Sequence, residues 1–256
     1  LYVPCNQWIN KCKKCPAENR SLSPKHGWMN GIRWVHHYRK RTIGKIKNLV
    51  IVTPSEWMRG LVRQSYLMDR RCEVIHNGIN HEVFHPVESD IREKYGIGAE
   101  KKLLLAVGNP IWKLKGREYL LKLVDELPEE YHLVMVGAIE EDVKELEPRK
   151  NVMALPRIDR NDLIKFYSSA DLFVNPTLAD NFPTVNLEAQ ACGCPIVAFD
   201  SDGTPETVAP GGIVVPRMNY ETFRNAILNF DYDGAREKAI VFANQYRQEE
   251  CLNEYM

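Results

Sequence analysis

Between Lys102 and Leu228 the chain alternates short, predominantly apolar runs with longer segments of helical character, and this alternation restricts the fold more than any other feature. Lys102–Val107, Tyr131–Val136, Val152–Leu155, Asp171–Asn175, Pro195–Phe199 and Ile213–Val215 read as strands. Arg117–Leu127, Asp142–Leu146, Arg160–Ala170, Pro183–Cys192, Glu221–Leu228 and Ala235–Arg247 read as helices, the first ended by Pro128. A strand that is apolar at every position is buried on both faces. Strands separated by helices connect through right-handed crossovers into a parallel sheet. The expectation is an α/β chain with one complete, Rossmann-like, doubly wound domain over about residues 84–230.

Upstream, residues 1–83 offer a single clear strand–helix pair. The β-branched run Leu49–Thr53 reads as a buried strand, and Ser55 is a suitable N-cap for a helix reaching about Leu67. Glu73–Ile75 reads as a strand running into an Asn77-Gly78 turn. Residues 26–48 carry Trp28, Ile32, Val35, Ile43 and Ile46 at roughly helical spacing. This is too little for an independent α/β domain, so 1–83 is expected to be the C-terminal portion of a preceding one. Residues 231–256 are expected to close the chain as a helix returning toward it. The sequence opens without Met, and the expectation is that part of the first domain precedes it.

Apolar residues make up 44% and charged residues 27%, which suits a globular chain rather than a fibre or a disordered tail. Thirty-four basic residues balance thirty-four acidic ones, which argues against a globally basic nucleic-acid binder. There is no run of eighteen apolar residues and no signal-peptide pattern at the start, and a cytoplasmic location is expected. The seven cysteines are odd in number and unevenly spaced, which points to a reducing compartment. Cys192 and Cys194 read as small buried apolar residues in a tight turn. Cys5, Cys12 and Cys15 have a spacing that admits a thiophilic metal if His26 or an upstream residue adds a fourth ligand; otherwise they are reduced thiols in a loop.

Ligands of an open parallel sheet bind beyond the carboxyl ends of its strands. After Val107 the chain reads Gly108-Asn109-Pro110-Ile111-Trp112-Lys113-Leu114-Lys115-Gly116, with neither a G-x-G-x-x-G fingerprint nor a Walker lysine. Lys115 opens a helix, where the dipole mildly opposes a cation. It reads either as a solvated lysine or as a point charge for an anion held at the loop. After Asn175 comes a loop in which Asp180 precedes a helix start, Asn181 reads as N-cap and Pro183 as a first-turn residue. Glu188 is placed two turns inside, on the order of 10 Å from Asp180 along the axis. A nucleoside diphosphate sugar fits that span, because amides at a helix start favour phosphate and carboxylates accept from sugar diols. The bland alternatives are capping for Asp180 and a solvated face for Glu188, although Val185, Leu187 and Ala189 surround the latter. Asp200-x-Asp202 and Asp231-x-Asp233 admit a magnesium or manganese reading, but turn aspartates commonly bond their own backbone, and no metal is assigned.

The run from Asp180 through Glu188-Ala-Gln-Ala-Cys-Gly193-Cys-Pro195 resembles the donor-site signature of family 4 retaining glycosyltransferases. Gly203-Thr204-Pro205-Glu206 is similar to that family's Gly-x-Pro-Glu loop. Val107-Gly108 with Lys115-Gly116 resembles its phosphate-binding loop, and Asn77-Gly78-Ile79-Asn80 its interdomain linker. The Cys5, Trp8, Cys12, Cys15 cluster and Trp112 resemble a subgroup from bacterial surface-polysaccharide clusters, similar to colanic acid transferases. The resemblance implies a two-domain GT-B fold and retaining transfer from a nucleoside-diphosphate sugar to a glycan or lipid-linked acceptor, with no metal cofactor. It implies Lys115 on the diphosphate, assisted by Gly108, Asn109 and Lys113, and Glu188 on the ribose. Asp180 would meet the transferred sugar, the backbone of Asn181, Phe182, Pro183 and Thr184 the sugar and phosphate, and the segment Leu155 to Ile158, with Arg157 and Ile158, would border the base. Two positions depart from the family pattern: Asp180 stands where Glu is common, and Asn109 where Arg is common.

From Asn19 to Ser55 there is no acidic residue, and Arg20, Lys25, Arg33 and Arg39–Arg41 share the stretch with Trp28, Trp34 and Tyr38. Such a segment suits peripheral attachment to an anionic membrane, or is a solvated helix; no nucleic acid is expected as a partner. Two rival activities stay open at this point. One is a non-catalytic nucleotide-sugar-binding scaffold, and the other is a nucleotide-sugar epimerase of the same fold.

Overall fold

The computed structural model describes residues 31–108 and 114–256, with the side chains of the first helix described from His37 onward. Cys5, Cys12, Cys15 and His26, together with Asn109, Trp112 and Lys113, lie outside the described residues. Two compact units divide the chain, Leu1–Ile75 and His76–Met256.

The described part of the first unit runs α1 (Gly31–Ile43), β1 (Val50–Thr53), α2 (Glu56–Arg63) and β2 (Arg71–Val74). β1 and β2 pair in parallel through α2, with Val50 opposite Arg71 and Thr53 opposite Val74. Ser55 caps α2, its Oγ accepting from Met58 N at 3.2 Å. The expectation of a buried β1 is corrected. Val50 is 49% and Val52 39% exposed, while Ile51 and Thr53 face inward. A β-branched run carries no mark of how many of its faces are covered, and among the described residues β1 has β2 as its one strand neighbour.

The second unit runs α3 (Ile91–Lys94), β3 (Lys102–Val107), α4 (Arg117–Glu126), β4 (Tyr131–Val136), α5 (Glu140–Leu146), β5 (Val152–Leu155), α6 (Arg160–Ser169), β6 (Leu172–Asn175), α7 (Thr184–Ala191), β7 (Ile196–Asp200), β8 (Ile213–Pro216), α8 (Tyr220–Leu228), α9 (Ala235–Ala243) and α10 (Gln248–Asn253). Its strands form one six-stranded parallel sheet in the order β5-β4-β3-β6-β7-β8. Both faces are covered, as apolar strands require. Leu104 faces Leu120, Leu123 and Phe223 on one side, and Leu103 and Leu105 face Phe166, Tyr167 and Phe173 on the other. The chain winds outward from β3 to β5, then returns to β6 on the opposite side of β3. The crevice between the carboxyl ends of β3 and β6 is therefore the topological switch point, where ligands of such sheets bind.

Two helix expectations are corrected. Residues 235–247 are not one helix: α9 stops at Ala243, because Ile79 pairs with the backbone that follows it. Ile79 N donates to Tyr246 O at 2.9 Å, and Gln248 N donates to Ile79 O at 3.0 Å. Gly78 makes this approach possible, since a Cβ there would lie 2.6 Å from Gln248 Cα. α7 begins at Thr184, with Pro183 as the residue before it and ψ 103° there. Gly203 N donates to Asp180 O at 3.0 Å, which ties the loop ahead of α7 to the next strand's loop. Asn181 accordingly does not cap the helix, and Glu188 sits just over one turn inside it rather than two.

Candidate functional site

Two loops meet at the switch point. The loop after β3 ends in Lys115-Gly116, and Gly116 adopts φ +78°, which only glycine enters without strain. That loop is laced to the one after β6: Leu178 N donates to Leu114 O at 2.8 Å, and Thr177 Oγ1 donates to the same carbonyl at 3.3 Å. The lacing brings Lys115 Nζ to 2.5 Å from Asp180 Oδ2, both side chains about one-fifth exposed. Asp180 Oδ1 accepts from Phe182 N at 3.3 Å. Lys115 is thus neither a solvated lysine nor an isolated point charge. It is half of an ion pair at the ligand edge.

α7 carries Glu188 and is fixed by a buried, hydrogen-bonded polar network. Asn175 Nδ2 at the end of β6 donates to Asn186 Oδ1 at 2.7 Å, and Asn186 Nδ2 donates to Thr207 Oγ1 at 2.8 Å. Gln190 Nε2 donates to Thr207 O at 2.8 Å, and Ala209 N donates to Gln190 Oε1 at 2.7 Å. A satisfied network of this kind rigidifies what it joins. Sequence reasoning missed it; the signal was two amides on a helix otherwise too apolar for them.

A cleft of about 1030 Å³ opens at this edge of the second unit. Gly108, Arg157, Ile158, Thr184 and Glu188 line it, which brings together five residues singled out from sequence. Asp180, Lys115, Asn181, Phe182 and Pro183 are not among its lining residues. The Phe182 ring is buried and stacks on His76 with centroids 4.9 Å apart, so its side chain packs rather than faces a ligand. Pro183 has no N–H to offer a phosphate. Gly137, Ile139, Arg160 and, from the 78–84 segment, Gly78, Ile79, Asn80, Val83 and Phe84 also line the cleft, and none of them was assigned a ligand contact from sequence. Gly137, at φ +88° just after β4, was the available signal.

Burial pushes the Glu188 carboxyl above its usual range, while hydrogen bonds from Tyr167 and Thr184 and the charge of Arg160 pull it back. Burial also raises Asp202, whose backbone lies in the left-handed region at φ +53° and whose carboxylate faces Arg217 at 3.9 Å. Asp231 Oδ1 accepts from Asp233 N at 3.0 Å, which is turn chemistry. Among the described residues, no group of three or more His, Cys, Asp or Glu is placed to hold a metal. Cys192 and Cys194 are fully buried, and burial pushes the Cys192 thiol up to about 12, which leaves it unreactive.

Residues 87–246 match the family described as glycosyl transferases group 1. A D-inositol 3-phosphate glycosyltransferase of Mycobacteroides abscessus is 27% identical over 249 residues, covering 80% of this chain and 56% of that protein. The chain thus spans about half the length of the curated relatives it matches. Among solved structures, a sucrose-phosphate synthase from Thermosynechococcus elongatus superposes with a TM-score of 0.75 at 23% identity, over 92% of this chain and 62% of the other. An Anabaena protein solved with UDP and glucose superposes with a TM-score of 0.70 at 21% identity, over 91% and 68%. These likenesses show the GT-B fold.

Proposed function

The chain belongs to the group 1 glycosyl transferases, and from that premise we propose that it holds the donor half of a retaining transferase acting from a nucleoside-diphosphate sugar. The observation that carries this reading is Glu188: a half-buried carboxylate on the wall of a nucleotide-sized cleft, one turn inside a helix that starts at the switch point. It would accept from the ribose diol. Lys115, at the same edge, would take the diphosphate and stabilise charge developing on the leaving oxygen. Asp180 would meet the transferred sugar and favour its developing positive charge, with the acceptor hydroxyl attacking from the leaving-group face. Transfer would proceed without a resident metal. UDP is the first nucleotide to test, since the Anabaena relative was solved with it.

Calorimetric titration with UDP, GDP and ADP tests the reading. One diphosphate is expected to bind in the micromolar range, and Glu188→Ala to weaken it at least about tenfold, the scale of a hydrogen bond lost from a charged group. Unchanged affinity in that variant removes the ribose role.

The acceptor we propose is a hydroxyl of a glycan or lipid-linked saccharide in surface-polysaccharide synthesis, with D-inositol 3-phosphate run beside it as the relatives' named substrate. We also propose peripheral attachment to the cytoplasmic face of a membrane through residues 19–55. Arg39, Lys40, Arg41, Lys45 and Lys47 are all exposed there, as are Tyr38 (54%) and Ile46 (49%). No described helix is long and apolar enough to cross a membrane. Each cation near an anionic surface contributes about 1 kcal/mol. The chain is expected to float with phosphatidylglycerol vesicles and to be released by salt. Equal recovery with phosphatidylcholine vesicles removes the idea.

A further inference from the structure

Tyr167 on α6 is fully buried, yet its hydroxyl lies 3.3 Å from Glu188 Oε2 on α7. Its ring meets Phe84 and Phe173 edge-on, at centroid distances of 6.5 and 5.8 Å. A phenylalanine would fill that volume without carrying a hydroxyl that burial penalises unless it is bonded. The residue type is therefore explained by the hydroxyl, and the hydroxyl by Glu188. The other groups facing Glu188 are Thr184 one turn earlier on α7, Arg160 at the start of α6, and Cys192 just after α7, a neutral thiol. Arg157 and Asp159 stand on the same cleft wall.

We propose that Tyr167 is a positioning residue for nucleoside recognition, its hydroxyl fixing the Glu188 carboxylate in the orientation that receives the ligand's ribose diol. This rests on the ribose role given to Glu188 above. A carboxylate on a three-torsion side chain loses rotamer freedom when it binds, and a donor that already holds one oxygen reduces that loss. The same bond favours the ionised form. Its removal raises the carboxyl further, so protonation overtakes the site at higher pH.

The test titrates wild type and Tyr167→Phe with UDP and with 2′-deoxy-UDP, or with whichever diphosphate the panel selects and its 2′-deoxy analogue, across the acid-to-neutral range. Tyr167→Phe is expected to weaken the ribonucleotide about tenfold and the deoxy analogue much less. It is also expected to move the acid limb of ribonucleotide binding to higher pH. Equal losses for both ligands with an unmoved acid limb, or no loss for either, overturn the proposal. If wild type binds the two ligands equally, the ribose role of Glu188 has failed, and the proposal falls with it.

Discussion

Gly116→Ala is expected to cost roughly 3 kcal/mol or more of folding stability and to remove diphosphate binding with it. Two penalties combine. The φ of +78° costs a residue with a Cβ about 1–2 kcal/mol. The added Cβ would also lie 2.0 Å from Pro176 O and 2.8 Å from Pro176 C, both backbone atoms at the end of β6. Neither atom belongs to a side chain that can rotate away. Relief requires separating the loop after β3 from the loop after β6, the same two loops joined at Leu114, Thr177 and Leu178. Lys115 would move with the first loop and leave Asp180 behind. Gly96→Ala is the control, because Gly96 has φ +66° but no atom within 4 Å of an added Cβ. It carries the backbone penalty alone. In thermal unfolding Gly116→Ala should melt roughly 6–12 °C lower, at 2–4 °C per kcal/mol for a unit of this size, and Gly96→Ala only a few degrees. Equal losses in the two variants would show that the Pro176 contact is relieved without cost.

The sheet was legible because its signal is redundant. Lys102–Val107, Tyr131–Val136 and Val152–Leu155 stand where their composition places them. Each is mainly apolar, bounded by turns and separated by helices, so local and global requirements agree. Where a boundary depended on a distant segment, the reading failed. Residues 235–247 have continuous helical character, but Ile79, far away in sequence, takes the backbone at Tyr246 and Gln248. Asn181 looks like a cap, but Gly203 holds the loop ahead of α7 through the Asp180 carbonyl. Val50 and Val52 look buried because exposure depends on neighbours, which composition does not record. At the site, residue types were legible and pairings were not. Lys115 and Asp180 were each singled out, but nothing in a spacing of sixty-five residues says that they touch. Tyr167 and Arg160, which pull the Glu188 carboxyl back against the effect of its burial, lie on another helix and carry no local mark of that role.

The Lys115–Asp180 pair leads to an expectation of opposite signs for two measurements on one variant. Asp180→Asn should bind the nucleoside diphosphate about tenfold more tightly and transfer sugar roughly 10²–10³-fold more slowly. Lys115 Nζ is paired with Asp180 Oδ2 at 2.5 Å, so a diphosphate arriving at the loop competes with a carboxylate for the same ammonium. It also approaches a like charge. Both terms oppose binding, and both vanish when the carboxylate becomes an amide of the same shape; about 1.4 kcal/mol of relief is a factor of ten. Asn keeps an oxygen for Phe182 N, so the loop retains its bond at that point. Transfer responds the other way. On the role proposed for Asp180, the positive charge that would develop on the sugar would lose its fixed counter-charge, and a preorganised group of that kind is a large contributor to rate. Lys115→Ala separates the two effects, since it should weaken diphosphate binding and abolish the gain from Asp180→Asn in the double variant. If Asp180→Asn weakens the diphosphate instead, the pair is not in competition with it, and Asp180 supports the phosphate site rather than opposing it. If the diphosphate tightens while transfer is unchanged, Asp180 is a partner for Lys115 and no more, and the charge on the sugar is met elsewhere.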